Sequence, residues 1–86
     1  MKIIFSDHAE AKLRLLQSRG FSVSKKQVID CLENPDRVDE GYKGRAVAQK
    51  TTDSEHVLRV VYIELDEGLR VITLYPGGRK RYENVL

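Results

Sequence analysis

The segment His56–Leu65 is the feature that most constrains the fold. Apolar residues occur at both odd and even positions along it. Both faces of the predicted strand must therefore be covered, as they are for a strand near the centre of a sheet. The turn residues Asp66–Gly68 follow at once, and a second apolar run, Leu69–Tyr75, comes after them. A short turn between two such runs indicates an antiparallel hairpin.

Helical spacing dominates the first third of the chain. Apolar residues recur at i, i+4 and i+7 after Ser6 and Asp7, either of which can cap a helix, and the pattern ends at Gly20. A second capping pattern, Ser-x-x-Gln, starts at Ser24, and the apolar face that follows it ends before Pro35. Two amphipathic helices are therefore predicted ahead of the strands.

The order of these elements predicts an α+β fold. We expect two N-terminal helices packed on one face of a three- to four-stranded antiparallel sheet, in a single domain of residues 1–86. Lys2–Phe5 is expected to be an opening strand or an extended lead-in. Arg45–Lys50 alternates in polarity, and its exposed edge could pair with a second copy of the chain in a homodimer. Phe21 and Val23 are expected to pack beneath the joint between the helices.

The composition argues against several classes of protein. The single cysteine, Cys31, rules out an intrachain disulfide framework, and its helical spacing predicts a core side chain and not a nucleophile. No apolar run approaches the ~20 residues that cross a bilayer, and the N-terminus lacks a signal-peptide pattern, so we expect a cytoplasmic protein with no membrane partner. Metal-ligand spacings and phosphate-binding or dinucleotide motifs are absent, which predicts no metal and no cofactor.

Positive charge is concentrated at the two ends of the chain. Residues 1–29 carry six Lys or Arg against two acidic residues, and residues 69–86 carry four against one. Residues 30–43 and 52–68 have an acidic excess. If the fold brings the first helix beside the last strand, a basic face would form that could orient a polyanion.

The last dozen residues contain the clearest candidate for an anion site. The sequence Tyr75-Pro76-Gly77-Gly78 is expected to end regular structure, and Arg79-Lys80-Arg81-Tyr82 follows it. Arg and Lys bind phosphate, and a tyrosine can stack on a base or move a proton. The alternative is a solvated tail that keeps the protein soluble, and composition alone favours that alternative.

Two further residue types could carry chemistry. His8, one helical turn before Lys12, is a candidate general acid or base, although a packing histidine is the simpler interpretation. Arg59 interrupts an apolar strand and must reach an acid, the sheet edge or a ligand; an ion pair and a ligand site both remain open. Arg70 could face Arg59 across the hairpin and is expected to be solvated, as is His56.

The order of short motifs along the chain resembles the DUF4258 family. The motifs are His8-Ala9, Arg19-Gly20-Phe21-Ser22, Val28 to Asn34-Pro35, Arg45 to Gln49, Leu58 to Tyr62, and Val71 to Tyr75. This family is similar to the BrnT and RelE-like toxins, small α+β proteins that cleave RNA without a metal, often as the toxin of a toxin–antitoxin pair. The resemblance implies a metal-independent ribonuclease that uses attack of the RNA 2′-hydroxyl on phosphate. Its partners would be RNA, in some cases on the ribosome, and an antitoxin protein.

The resemblance also implies roles for individual residues. His8 or Tyr82 would move protons, and arginines would hold the phosphate. The implied catalytic residues are His8, Arg59, Arg81 and Tyr82, and the implied RNA-binding residues are Lys12, Arg79 and Lys80. The alternative function is a non-catalytic RNA- or protein-binding module of the same fold, which needs only the basic surface.

Overall fold

A five-stranded mixed sheet forms the centre of the computed structural model, which describes residues 2–83. In chain order its strands are β1 (Lys2–Phe5), β2 (Arg37–Glu40), β3 (Ala46–Thr51), β4 (His56–Leu65) and β5 (Gly68–Gly78). Across the sheet the order is β1-β5-β4-β3-β2. Strands β2 to β5 form an antiparallel meander, and β1 adds to β5 in parallel.

Two helices connect β1 to β2, as the sequence predicts. Helix α1 spans Asp7–Ser18, and α2 spans Lys25–Glu33. The hydroxyl of Ser6 caps α1 by accepting from the Ala9 N–H at 3.0 Å, and Ser24 begins a complete capping box on α2. A single turn, α3 (Arg79–Tyr82), follows β5. No helix in residues 2–83 is long and apolar enough to cross a membrane.

Both long helices cover the same face of the sheet. Successive side chains of β4 point to opposite faces, and Leu58, Val60 and Tyr62 pack with the buried residues of α1 and α2. Arg59 and Val61 therefore point to the other face, which we call the open face. The shared core consists of Ala9, Leu13, Leu16, Val28, Cys31, Leu32, Ala48, Leu58, Val60, Tyr62, Val71 and Leu74.

The α+β class is confirmed, but the sheet differs from the prediction in size and direction. It has five strands, and β1 pairs in parallel with β5, with Lys2 opposite Gly68 and Phe5 opposite Val71. The helices carry the chain from one edge of the sheet to the other. No local turn links β1 to its partner, so nothing in the nearby sequence specifies the direction of this pairing.

The prediction that Pro76-Gly77-Gly78 ends the last strand is wrong. Strand β5 continues through these residues, with Pro76 opposite Leu58 and Gly78 opposite His56. The pairing of β5 with β1 has already stopped at Val71. Proline lacks a backbone N–H, and an edge strand tolerates that loss because one of its sides has no partner strand.

Two predicted pairings are also corrected. The segment Arg45–Lys50 does not form a sheet edge, because β3 lies between β2 and β4; the edge on that side is β2. Arg59 lies opposite Tyr75, whereas Arg70 lies opposite Ile63, so the two arginines do not face each other. Arg70 is exposed, as expected.

Replacing Gly68 with alanine should destabilise the sheet at the parallel pair. Gly68 has φ of +155°, and a Cβ there would overlap the carbonyl oxygen of Lys2. We expect Gly68→Ala to lower the free energy of unfolding by roughly 2 kcal/mol, measured by urea denaturation.

The matched control is Gly78→Ala at the other end of β5. Gly78 has φ of −79°, and a Cβ there would meet nothing within 4 Å. Its effect should be within about 0.5 kcal/mol. Equal losses in the two variants would contradict the close approach of β1 to β5.

Candidate functional site

The buried guanidinium of Arg59 is the centre of the polar network on the open face. Arg59 is 9% exposed. Its Nε donates to the Tyr75 hydroxyl at 3.0 Å, one terminal nitrogen donates to the amide oxygen of Gln49, and the other lies 3.5 Å from an Asp39 carboxylate oxygen. All three nitrogens have partners within the protein. The ion-pair interpretation of Arg59 thus accounts for one of its contacts, and neutral groups supply the rest.

Tyr82 closes this network from above the sheet. The guanidinium carbon of Arg59 lies 4.4 Å from the centroid of the Tyr82 ring, a cation–π distance. The backbone carbonyl of Tyr82 accepts from Arg37 Nη1 at 3.0 Å and from Gln49 Nε2 at 3.3 Å. A Cβ at Gly77 would overlap the ring, so the glycine gives Tyr82 room to lie on the open face.

Helix α3 is fixed at its start by Arg79. Its backbone N–H donates to the Glu55 carbonyl at 2.8 Å, and its Nη1 donates to the Ser54 carbonyl at 3.3 Å. Its guanidinium also binds the Glu83 carboxylate, which accepts from the Thr51 hydroxyl at 3.2 Å. The bond to Arg79 lowers the pKa of Glu83. Arg79 therefore has an internal counter-charge.

The structure brings together some of the predicted site residues and separates others. The guanidinium carbon of Arg81 lies 5.4 Å from the centroid of the Tyr82 ring, and Lys80 is exposed on the same turn. His8 and Lys12 lie on α1, which covers the opposite face of the sheet. The first helix does pack beside β5, but it does not place His8 with the C-terminal cations. The proposed catalytic and RNA-binding roles of all these residues remain predictions.

A histidine–aspartate pair was missed by the sequence reasoning, which treated His56 as solvated. His56 Nδ1 lies 3.0 and 3.1 Å from the two carboxylate oxygens of Asp53. Asp53 also accepts the backbone N–H groups of Glu55 and His56. The Glu55 N–H, and next the His56 side chain, lower the pKa of Asp53. The available signal was Asp53 itself, a turn former three residues before a histidine.

His56 is also close to the basic turn. It lies directly opposite Gly78 in the β4–β5 ladder, and Gly78 is the residue before Arg79. The loop of residues 53–56 therefore holds the imidazole through Asp53 and holds Arg79 through two backbone carbonyls. This end of the sheet therefore carries both the imidazole and the basic turn.

Gln49 is a further residue that the sequence reasoning missed. Gln49 is 1% exposed, an unusual burial for an amide, and its partners are Arg59 and the Tyr82 carbonyl. Its relation to Arg59 depends on strand register, because the two residues are cross-strand neighbours.

Two further features bear on the chemistry of the described residues: the environment of Cys31 and the arrangement of possible metal ligands. Burial raises the pKa of the Cys31 thiol to about 12, and its Sγ contacts the carbonyl oxygens of Ala48 and Leu58. The prediction of a core cysteine is confirmed. Among residues 2–83, no group of three or more His, Cys, Asp or Glu is arranged to hold a metal ion.

The fold and this site define a small α+β protein whose open sheet face carries the hydrogen-bond network of Arg59 and is bordered by a basic turn. Residues 5–76 match the family described as Domain of unknown function (DUF4258), and the chain belongs to this family. No curated protein and no solved structure gives a significant match. The family match ends at Pro76, so α3 and its cations lie outside the matched residues. The further likeness to BrnT and RelE-like toxins stays a prediction.

Removing the Arg59 guanidinium should destabilise the fold. Arg59→Met retains the aliphatic stem but leaves the buried amide oxygen of Gln49 without this donor, which costs about 1–3 kcal/mol. Urea denaturation of the variant measures the loss. Arg70→Met, at an exposed position of β5, should change stability by less than about 0.5 kcal/mol. Similar values for the two variants would mean that the network contributes little.

Cys31 should make the protein less stable in alkali. The folded thiol has a pKa of about 12, whereas an unfolded cysteine ionises near ~8.5. Between these values the folded state binds more protons, so stability falls as pH rises. From pH 7.5 to 10.5, wild type should lose roughly 2 to 3 kcal/mol more than Cys31→Ala in denaturant titrations. Identical pH profiles would contradict the buried neutral thiol.

Proposed function

We propose that this protein is a metal-independent ribonuclease of the RelE/BrnT-like toxin type, acting at the open face and α3. The observation that carries the proposal is the stacking of Tyr82 on Arg59, which gathers Arg59, Arg81 and Tyr82 in one cluster. Cleavage of RNA through its own 2′-hydroxyl needs groups that move protons and cations that neutralise the phosphate. The cluster contains a phenol, that of Tyr82, and an exposed cation, that of Arg81.

Lys80 and Arg81 are the residues that would bind phosphate. Both are exposed, and neither forms an ion pair within residues 2–83. Arg79 is neutralised by Glu83 and therefore serves to position the turn. This division explains how three adjacent cations can be held side by side while two of them remain available to a polyanion.

The reaction itself needs two proton transfers. The 2′-oxygen attacks phosphorus as its proton passes to a base, and the bond from phosphorus to the 5′-oxygen breaks as that oxygen gains a proton. The products are a 2′,3′-cyclic phosphate and a 5′-hydroxyl. The Tyr82 hydroxyl makes no hydrogen bond to any residue from 2 to 83 and is our candidate for one transfer. His56 lies opposite Gly78, where α3 begins, and is our candidate for the other. His8 is farther from α3 along β5, since Ser6 at the start of α1 bonds to the Ile72 carbonyl.

The second candidate is an RNA-binding module without catalysis. One observation favours it: every nitrogen of Arg59 is already bonded inside the protein. Arg59 would then hold Tyr82 in place and make no contact with a transition state. With or without catalysis, the protein could have an antitoxin protein or a second copy of the chain as partner. An acidic peptide would compete with RNA for the same cations.

Lys80 and Arg81 should set the affinity for RNA. We expect the Lys80→Ala/Arg81→Ala double variant to bind a single-stranded RNA oligonucleotide more weakly. The log–log dependence of affinity on salt should become shallower by roughly 1.4, about 0.7 for each lost phosphate contact. Fluorescence anisotropy at several salt concentrations measures both quantities.

The control for this measurement is Lys12→Ala/Arg14→Ala. It removes the same charge from α1, on the other face of the sheet, and also tests the predicted RNA-binding role of Lys12. An equal effect of the two double variants would show that binding depends on total charge alone and would count against a site at α3.

The proton-transfer residues can be separated by single variants. With EDTA present, Tyr82→Phe keeps the ring on Arg59 and removes the hydroxyl, and we expect cleavage to slow by about 100-fold. His56→Gln should slow cleavage by a similar factor, whereas His8→Ala should leave it unchanged. Loss of cleavage only in His8→Ala would restore the sequence-based assignment. RNA left intact by the wild type, alone and with ribosomes, would leave only the binding module.

A further inference from the structure

A pocket of about 490 Å³ lies on the helix-covered face, at the end of the sheet that carries the loop of residues 53–56. The joint between α1 and α2 forms one wall, and the beginning of β4 with Pro76 of β5 forms the other. Pockets for small organic molecules have volumes of roughly 300–1,000 Å³. Of the residues to which the proposed function gives a role, His56 lines this pocket. Arg59, Arg79, Lys80, Arg81 and Tyr82 do not.

The apolar part of the lining contains an aromatic ring that is open to solvent. Phe21 is 40% exposed, so the expectation that it packs beneath the helix joint is wrong. Val23, for which the same was expected, does pack against the core. Leu16 and Leu58 form the floor of the pocket. An exposed aromatic ring beside an apolar floor is a surface on which a planar heterocycle can stack.

The polar part of the lining offers both hydrogen-bond donors and acceptors. Gln27 uses its side-chain oxygen to accept from the Ser24 N–H at 3.0 Å, which leaves its amide NH₂ without a partner among residues 2–83. His56 directs Nδ1 to Asp53, so Nε2 is the nitrogen left to meet a ligand. In the neutral ring with a proton on Nδ1, Nε2 is an acceptor. The edge of a nucleobase presents the complementary mixture of groups.

The pocket and the basic turn share one wall. Asp53 and His56 line the pocket, and the same loop holds Arg79 through the carbonyls of Ser54 and Glu55. A nucleotide whose base enters the pocket would lie against the loop that binds the first residue of α3.

We propose that this pocket binds a nucleobase of RNA, stacked on Phe21 and hydrogen-bonded by Gln27 and His56. This inference rests on the proposed function for the identity of the ligand and extends it, because a base pocket beside the cleavage site would select the nucleotide at which RNA is cut. Recognition of single-stranded RNA by stacking and by hydrogen bonds to base edges has the same physical basis.

Titration of the full-length protein with the four nucleoside 5′-monophosphates tests the proposal. In ¹H–¹⁵N spectra we expect saturable shifts at the backbone amides of Phe21, Val23 and His56, with different affinities for the four bases. Phe21→Ala should weaken binding about 5- to 150-fold, the range that corresponds to removal of a stacking side chain. Phe21→Leu, which keeps the apolar bulk, should show much of the same loss and serves if the alanine variant is poorly folded.

Two further variants sharpen the test. Leu15→Ala removes an apolar side chain of similar exposure, 42%, that does not line the pocket, and it should bind as the wild type does. Gln27→Glu keeps an oxygen for the Ser24 N–H and so retains the capping box, but it removes the NH₂ donor. It should change the order of affinity among the four bases.

The outcomes separate this proposal from the ribonuclease proposal. Nucleotides that bind through Phe21 while RNA stays uncut would support the pocket and overturn the cleavage function. RNA cleavage that is indifferent to base and unchanged in Phe21→Ala would overturn the pocket and leave cleavage standing. No shifts at Phe21, Val23 and His56 at millimolar nucleotide, or equal binding by wild type and Phe21→Ala, would also overturn the pocket.

Discussion

The buried guanidinium of Arg59 is the interaction on which the arrangement of the open face depends. A buried positive charge is costly unless it is bonded on all sides. Its partners here come from four separate elements, since β2, β3, β5 and α3 each contribute one. They are Asp39, Gln49, Tyr75 and Tyr82. The requirement to satisfy one side chain therefore fixes strands and the C-terminal turn relative to each other.

This arrangement also determines which cations are available to a ligand. Asp39 serves two arginines, and its bond to Arg37 is the main reason that its pKa is lowered. Arg79 is occupied by Glu83. The carboxylates of Asp39 and Glu83 are thus paired with arginines. The exposed positive charge remains on Lys80 and Arg81, which form the rim of the open face. A polyanion could approach that rim without displacing any of the internal bonds.

Local patterns in the sequence were sufficient to predict the parts of the fold that local interactions determine. The capping box at Ser24, the end of α2 before Pro35 and the hairpin at Asp66 all depend on residues close in sequence, and all three are confirmed. The parallel pairing of β1 and the continuation of β5 past Pro76 depend on which strand lies alongside, which no local pattern specifies. The site was predicted in part for the same reason: Arg59 was recognisable as an interruption, but its register with Gln49 was not.

The two histidines show why position in the fold, and not residue type, selects between candidates. His8 is near a helix N-terminus in sequence, yet α1 begins beside Ile72, well before the part of β5 that leads into α3. His56 looked solvated in sequence, yet Asp53 fixes its ring and the same loop fixes Arg79. A single carboxylate organises that loop by accepting two backbone N–H groups as well as the imidazole, and the same loop both lines the pocket and binds Arg79.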